Sequence, residues 1–160
     1  METRFNLFDS PTAAKVARRF SSTSLALQES TLPKGLQDLV MLRASQVNGC
    51  GFCIDIHAKE ATALGESALR INLVAGWRHS TVFTEAERAA LALAEEGTRI
   101  ADGAGGVSDA TWAEVRKHYD DDQVGALVCL VALINAANRM GVIVNSLGGA
   151  FEPGASAALG

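Results

Sequence analysis

The stretch Asn48-Gly49-Cys50-Gly51-Phe52-Cys53-Ile54-Asp55-Ile56-His57 decides how the rest of the chain is read. Asn-Gly supplies a helix stop, because glycine takes up the left-handed conformation that ends a helix. The residues after it begin a second helix, with Gly65 as its stop. Cys50 and Cys53 are three residues apart, about one helical turn, so their sulfurs can meet. At a helix N-terminus the backbone N–H groups without intrahelical partners, and the helix dipole, favour a thiolate. That is the setting in which a cysteine becomes a nucleophile. His57 lies four residues beyond Cys53 on the same helix face and can act as its base.

Upstream, Pro33 opens a helix in which Leu36, Leu39, Val40, Arg43 and Val47 fall at helical spacing. If the Asn48-Gly49 turn folds the two helices antiparallel, residues at equal distance from the turn become neighbours. Asp38 stands ten or eleven residues before the turn and His57 eight after it. At ~1.5 Å rise per residue their heights differ by a few Å. An Asp38–His57–Cys53 chain is the nucleophile, base and orienter arrangement of an activated thiol. Two blander readings compete. Structural zinc needs four ligands, usually in two spaced pairs, and Cys129, His79 and His118 form no second pair. A purely structural disulfide is at odds with a reducing compartment and a chain long enough to build its own core.

Farther out, the pattern is helical throughout. Helices are expected over about 12–28, 33–48, 50–64, 66–75, 84–101, 109–119 and 120–147, which gives an all-α bundle of six or seven helices. Thr84 with Glu87 is a capping-box signature, Ser108 is a cap, and Asp120 to Asp122 place negative charge at the start of the last helix. No hairpin signal occurs. The Gly-rich 102–107 segment reads as a loop. The whole of 1–160 is expected to be one domain, with its core over about 30–147 and a loose tail over 148–160.

Composition narrows the function. The chain has 160 residues, 48% hydrophobic and 20% charged, with a net charge of −4. That balance is globular rather than disordered, and it lacks the basic excess of a nucleic-acid binder. The longest apolar run, 124–134, is short of the ~20 residues a membrane span needs. Residues 1–10 lack the pattern of a secretory signal. Three cysteines are too few for a disulfide scaffold. A cytoplasmic chain with no nucleic-acid or membrane partner is expected.

The segment from Leu42-Arg43-Ala44-Ser45-Gln46-Val47 through the cysteine pair to His57-Ala58-Lys59-Glu60 resembles the alkylhydroperoxidase D (AhpD) core of the carboxymuconolactone decarboxylase-like superfamily. Further blocks follow in the family's order: Trp77-Arg78, then Phe83-Thr84-Glu85-Ala86-Glu87-Arg88-Ala89-Ala90-Leu91, then Glu95 with Thr98, and finally Ile134-Asn135-Ala136-Ala137-Asn138-Arg139. The resemblance implies an all-helical protomer, a homo-oligomer (trimer or hexamer), and a thiol peroxidase that reduces alkyl hydroperoxides without a bound cofactor. It implies that Cys53 is peroxidatic, that Cys50 resolves its sulfenic acid to a disulfide, and that His57 takes the Cys53 proton. The position of the family's glutamate, twelve residues before the first cysteine, is Asp38 here. An external dithiol donor, lipoyl or thioredoxin-like, would restore the pair.

Two departures bear on this. Asp38 is one methylene shorter than glutamate, and Phe52 stands where some members carry histidine. They motivate a second expectation, a redox sensor or disulfide-exchange oligomer with little peroxidase turnover. A third is a small-molecule enzyme of the decarboxylase or lyase branch, which lacks the dithiol. Among other residues, Asn135, Asn138 and Arg139 read as an internally satisfied polar network. Cys129 reads as core packing, Trp77 and Trp112 as core or interface anchors, Arg43 as half of an ion pair, and His79 and His118 as exposed.

Overall fold

The computed structural model describes residues 2–103 and 105–154. Every regular element among them is helical: α1 (Pro11–Gln28), α2 (Lys34–Asn48), α3 (Gly51–Ala63), α4 (Ala68–Leu73), α5 (Glu85–Thr98), α6 (Asp109–His118) and α7 (Asp121–Ile143). Short 3-10 turns cover Leu7–Asp9 and Val74–His79. The expected all-α fold of six or seven helices forms, with seven α-helices among the described residues.

Local chemistry sets most boundaries. Ser10, Cys50, Ser67, Thr84, Ser108 and Asp120 each cap a helix by accepting a backbone N–H, which satisfies one of the orphan donors of the first turn. Thr84–Glu87 and Asp120–Gln123 close reciprocal capping boxes. Gly49, with φ 69°, ends α2 in the left-handed region. There the Cys50 N–H reaches back to the Ser45 carbonyl, the closure that glycine after a helix permits.

Some boundaries differ from expectation. α5 stops at Thr98 rather than about 101, and α7 at Ile143 rather than about 147. After α7, Asn145 takes a φ of 54° and the Ser146 N–H bonds the Gly141 carbonyl, turning the chain away. The helix expected over 66–75 is shorter and passes into the 3-10 turn.

α2 is the hub, packed by α3, α5 and α7. Leu39, Val40, Leu42 and Ala44 are fully buried on it. One apolar cluster joins α2, α5, α6 and α7 through Val40, Leu93, Val115, Leu127 and Leu130. A second joins α2 to α5 and the 74–79 turn through Leu39, Leu42, Val74, Trp77 and Leu91. Truncating one such leucine to alanine costs about 2–5 kcal/mol. A helix buried on nearly all sides can carry polar groups only if they are partnered. α2 meets that demand in part: the Gln37 amide nitrogen donates to the Leu27 and Leu32 carbonyls and Ser45 to that of Met41, while Gln37 Oε1 is buried without a partner.

α7 is long and apolar enough, by length and composition, to cross a membrane. Here it packs on α1, α2, α3 and α5. Cys129 on α7 departs from its expected place and is exposed. Of the two readings of Trp112, core or interface anchor, its 42% exposure excludes the core one, and Val115 takes the buried position on α6. A nearly uniform apolar helix, and a short helix with one buried residue, leave the inward face undetermined by pattern alone.

Candidate functional site

The site is built where α2 ends and α3 begins. The left-handed Gly49 reverses the chain, so Cys50 becomes the N-cap of α3 and Cys53 sits in its first turn. The Cys53 N–H donates to the Cys50 sulfur at 3.3 Å. The two sulfurs stand at disulfide distance, with Cα atoms 5.4 Å apart, inside the range a disulfide spans. Both cysteines are nearly closed off, 2% and 5% exposed.

One turn beyond Cys53, His57 leaves α3 toward α2. Its Nδ1 lies 3.2 Å from Asp38 Oδ1, with both side chains largely buried. The antiparallel α2–α3 pairing thus brings together the two residues whose heights matched in the sequence. An aspartate beside Nδ1 orients the imidazole, and in the neutral tautomer that donates to it Nε2 carries the lone pair. The arrangement can therefore hold a proton acceptor on the cysteine-bearing helix, with a carboxylate behind it.

The polar residues of the closing sequence block form a network behind the turn. Asn48 Nδ2 donates to Asn135 Oδ1 and Asn138 Oδ1, Asn138 Nδ2 to Ser45 Oγ, and Asn135 Nδ2 to Thr98 Oγ1. Arg139 donates to Asn135. These residues satisfy one another, as expected. They tie the last residue of α2, just before the cysteine turn, to α7.

Arg43 pairs with Glu95, which also accepts from Trp77 Nε1 and Arg78. Burial pushes the Glu95 carboxyl up, but the hydrogen bonds from Trp77, Arg78 and Arg43 outweigh it and hold the group below the usual glutamate range. Trp77 is buried as an anchor, and His79 is exposed. His118 is only partly exposed, with Nε2 3.7 Å from Glu114, beyond hydrogen-bond reach.

Sequence reasoning did not find two contributors. The first is Gly141 of α7, which backs the sulfur pair: a Cβ there would lie 2.9 Å from Cys50 Sγ and 3.7 Å from Cys53 Sγ. A glycine within an apolar helix carries no signal of such a contact. The second is the segment after α7. Where a loose tail is expected, residues 148–154 lie along α3. Asp55 accepts the N–H groups of Gly149 and Phe151, Lys59 donates to the carbonyls of the same two residues, and Glu60 accepts the N–H of Gly154. Lys59 also pairs with Asp55 Oδ1 at 2.9 Å, and this bond, with those from Phe151 and Gly149, keeps the Asp55 carboxyl below its usual range against the opposing effect of burial. The rest of the expected tail, 155–160, lies outside the described residues.

Among the described residues no three His, Cys, Asp or Glu side chains gather as a metal would require. A groove of about 610 Å³ lies at the other end of α2, beside Pro33, Gly35, Glu87 and Tyr119, and none of the four candidate residues lines it.

Comparison with known proteins places the chain. The carboxymuconolactone decarboxylase family matches residues 11–96. The uncharacterised protein YdfG of Bacillus subtilis is 34% identical over 74% of this chain and 80% of its own. A solved structure from Agrobacterium tumefaciens, of a protein of unknown function named as a candidate antioxidant defence protein AhpD, is 35% identical. It covers 94% of this chain and 100% of that one, with a TM-score of 0.85. The debrominase Bmp8, at 20% identity, covers 88% of this chain and 73% of its own with a TM-score of 0.73, and so shares the fold. With the family matched over more than half its length, and the helices of an AhpD-like core around Cys50 and Cys53, this chain belongs to the carboxymuconolactone decarboxylase family.

Proposed function

We propose that the protein is a thiol-dependent peroxidase that reduces hydroperoxides through a Cys50–Cys53 dithiol/disulfide cycle. The observation that carries this reading is the sulfur pair at disulfide distance on the helix that also holds His57, whose ring is engaged by Asp38. His57 Nε2 takes the Cys53 proton. The Cys53 thiolate attacks the terminal peroxide oxygen, the O–O bond breaks, and the alcohol leaves with the proton. Cys53 is then a sulfenic acid. The Cys50 sulfur attacks Cys53, water leaves, and the disulfide forms. An external dithiol, lipoyl or thioredoxin-like, returns the pair to its reduced state and is itself oxidised to a disulfide. The protein needs no bound cofactor for this chemistry, and the reducing cytoplasm is the setting in which it would run.

The experiment is a peroxide-consumption assay with an organic hydroperoxide and a dithiol donor. Cys53→Ser should abolish turnover. Wild-type rates in that variant would reject the mechanism. A redox sensor or disulfide exchanger would instead react slowly with peroxide and quickly with protein disulfides.

The same reading includes self-association as a trimer or hexamer. Val142 and Ile143 near the end of α7, and Val128 farther back on it, are exposed, and exposed apolar surface favours burial against another copy. Sedimentation analysis of the full chain tests it. A monomer at micromolar concentration would reject it.

A further inference from the structure

The contacts behind the sulfur pair lead to an inference about how this site is regulated; it rests on the reading that Cys50 and Cys53 alternate between dithiol and disulfide. Both cysteines are almost wholly buried, so a cycle at this site requires an opening. The backbone behind the sulfurs leaves little room. Gly141 presses on Cys50 so closely that even a methyl group there would sit 2.9 Å from its sulfur. The carbonyl of the same glycine accepts the Ser146 N–H at 2.8 Å, in the turn where the chain leaves α7. Two residues later, Gly148 lies flat on the Gly51 carbonyl, and a Cβ on Gly148 would run into that oxygen. Gly51 is the residue that follows Cys50 and opens the α3 turn. One continuous piece of chain, 141–148, therefore touches the redox turn at both ends and leads directly into the segment held on α3 by Asp55, Lys59 and Glu60.

A bonded pair of sulfurs takes less room than two separate sulfurs, each with its own van der Waals shell. Reduction adds two electrons and two protons from a dithiol, breaks the S–S bond and leaves two thiols. Close-packed interiors do not absorb such a change in place. The piece of chain that backs the pair at Gly141 is the part of this packing that leads directly into the segment on α3. We propose that residues 148–154 form a redox-responsive strap, docked on α3 while Cys50 and Cys53 are bonded and released when they are reduced. Release frees the first turn of α3 and opens a route to the thiols for the oxidising substrate. Reoxidation closes it. The coupling is reciprocal, so whatever loosens the strap shifts the pair toward dithiol by the same factor.

Hydrogen exchange on the full chain, read by mass spectrometry, tests this in the oxidised form and in dithiothreitol. The amides of Gly149, Phe151 and Gly154, which bond Asp55 and Glu60, should exchange about tenfold faster after reduction. The Cys50→Ser/Cys53→Ser variant should match the reduced wild type. Asp55→Asn, and separately Lys59→Gln, should shift the equilibrium with dithiothreitol toward the dithiol by about fivefold or more. Equal exchange in both redox states overturns the proposal, as does an unchanged equilibrium in both variants. Neither measurement uses peroxide. A strap that responds to reduction in a protein that consumes no peroxide would therefore uphold this inference while rejecting the peroxidase reading.

Discussion

Asn48, the last residue of α2, donates through its single side-chain amide nitrogen to Asn135 at 3.0 Å and to Asn138 at 2.9 Å, both on α7. Asn138 is fully buried and passes the connection on to Ser45. Removing it takes one partner from Asn48, which keeps Asn135, and the donor that Ser45 Oγ accepts from, leaving Ser45 only its bond to Met41. Leaving a buried polar group without its partner costs about 1–3 kcal/mol. Asn138→Ala should lower the thermal midpoint by several degrees, at ~2–4 °C per kcal/mol for a chain of this size. Calorimetry checks it, and an unchanged midpoint would show that the network contributes nothing.

Gly141 predicts a stability effect with an internal control. Gly141→Ala forces a methyl group against the Cys50 sulfur, and overpacking of this kind costs about 1–3 kcal/mol. Removing that sulfur gives the methyl room. In a double-mutant cycle, Gly141→Ala should therefore destabilise the protein less in a Cys50→Ala background. Urea denaturation of the four proteins provides the comparison. Additive losses would mean that the glycine and the sulfur do not interact.

The Asp38–His57 pair predicts a kinetic effect. A positioned base contributes about 10²–10⁴-fold to a proton-transfer step. His57→Gln should slow peroxide consumption by about 10²-fold or more near neutral pH. Asp38→Asn, which keeps the shape but not the charge, should slow it less. At high pH, where the thiol ionises unaided, both variants should approach the wild-type rate. If the deficits persist undiminished at high pH, the pair does not act by deprotonating the thiol.

Glu95 and Glu87 predict the acid limb of the stability curve. Burial pushes each carboxyl up, and each is nevertheless held low: Glu95 by Trp77, Arg78 and Arg43, and Glu87 by Arg70 and Thr84. A folded-state value below the unfolded one means that the stabilisation is fully present above the ordinary glutamate value of 4.5. It is lost as pH falls through the depressed value, because the unfolded chain then binds more protons. Glu95→Gln should flatten stability against pH below about 4.5. Urea midpoints between neutral pH and pH 3 would show it. A slope equal to that of the wild type would count against the ion pair.

The turn, the cysteine pair and the matched heights of Asp38 and His57 were legible because they depend on local rules: a glycine stop, a one-turn spacing, and equal distances along two antiparallel helices. The caps at Thr84, Ser108 and Asp120 were legible for the same reason. Gly141 was not, since its role comes from a helix more than eighty residues away in sequence. Cys129 was expected inside and is exposed, because the pattern of α7 is apolar on most sides, and the short α6 did not show that Trp112, read as a core or interface anchor, lies outside the core. The segment over 148–154 looked too poor in large side chains to hold a place. It is held instead through backbone groups, which sequence pattern does not display.

Glu95 also has a consequence for the opposite side of the hub helix. Its carboxylate grips Arg43 of α2 together with Trp77 and Arg78 of the 74–79 turn. This clasp joins one point on α2 to α5 and the 74–79 turn. Arg43 lies five residues beyond Asp38, whose carboxylate meets His57. A shift of one residue would move that carboxylate by about 1.5 Å, enough to take 3.2 Å beyond bonding reach. The helix that carries Asp38 is thus tied to α5 and to the 74–79 turn through Glu95.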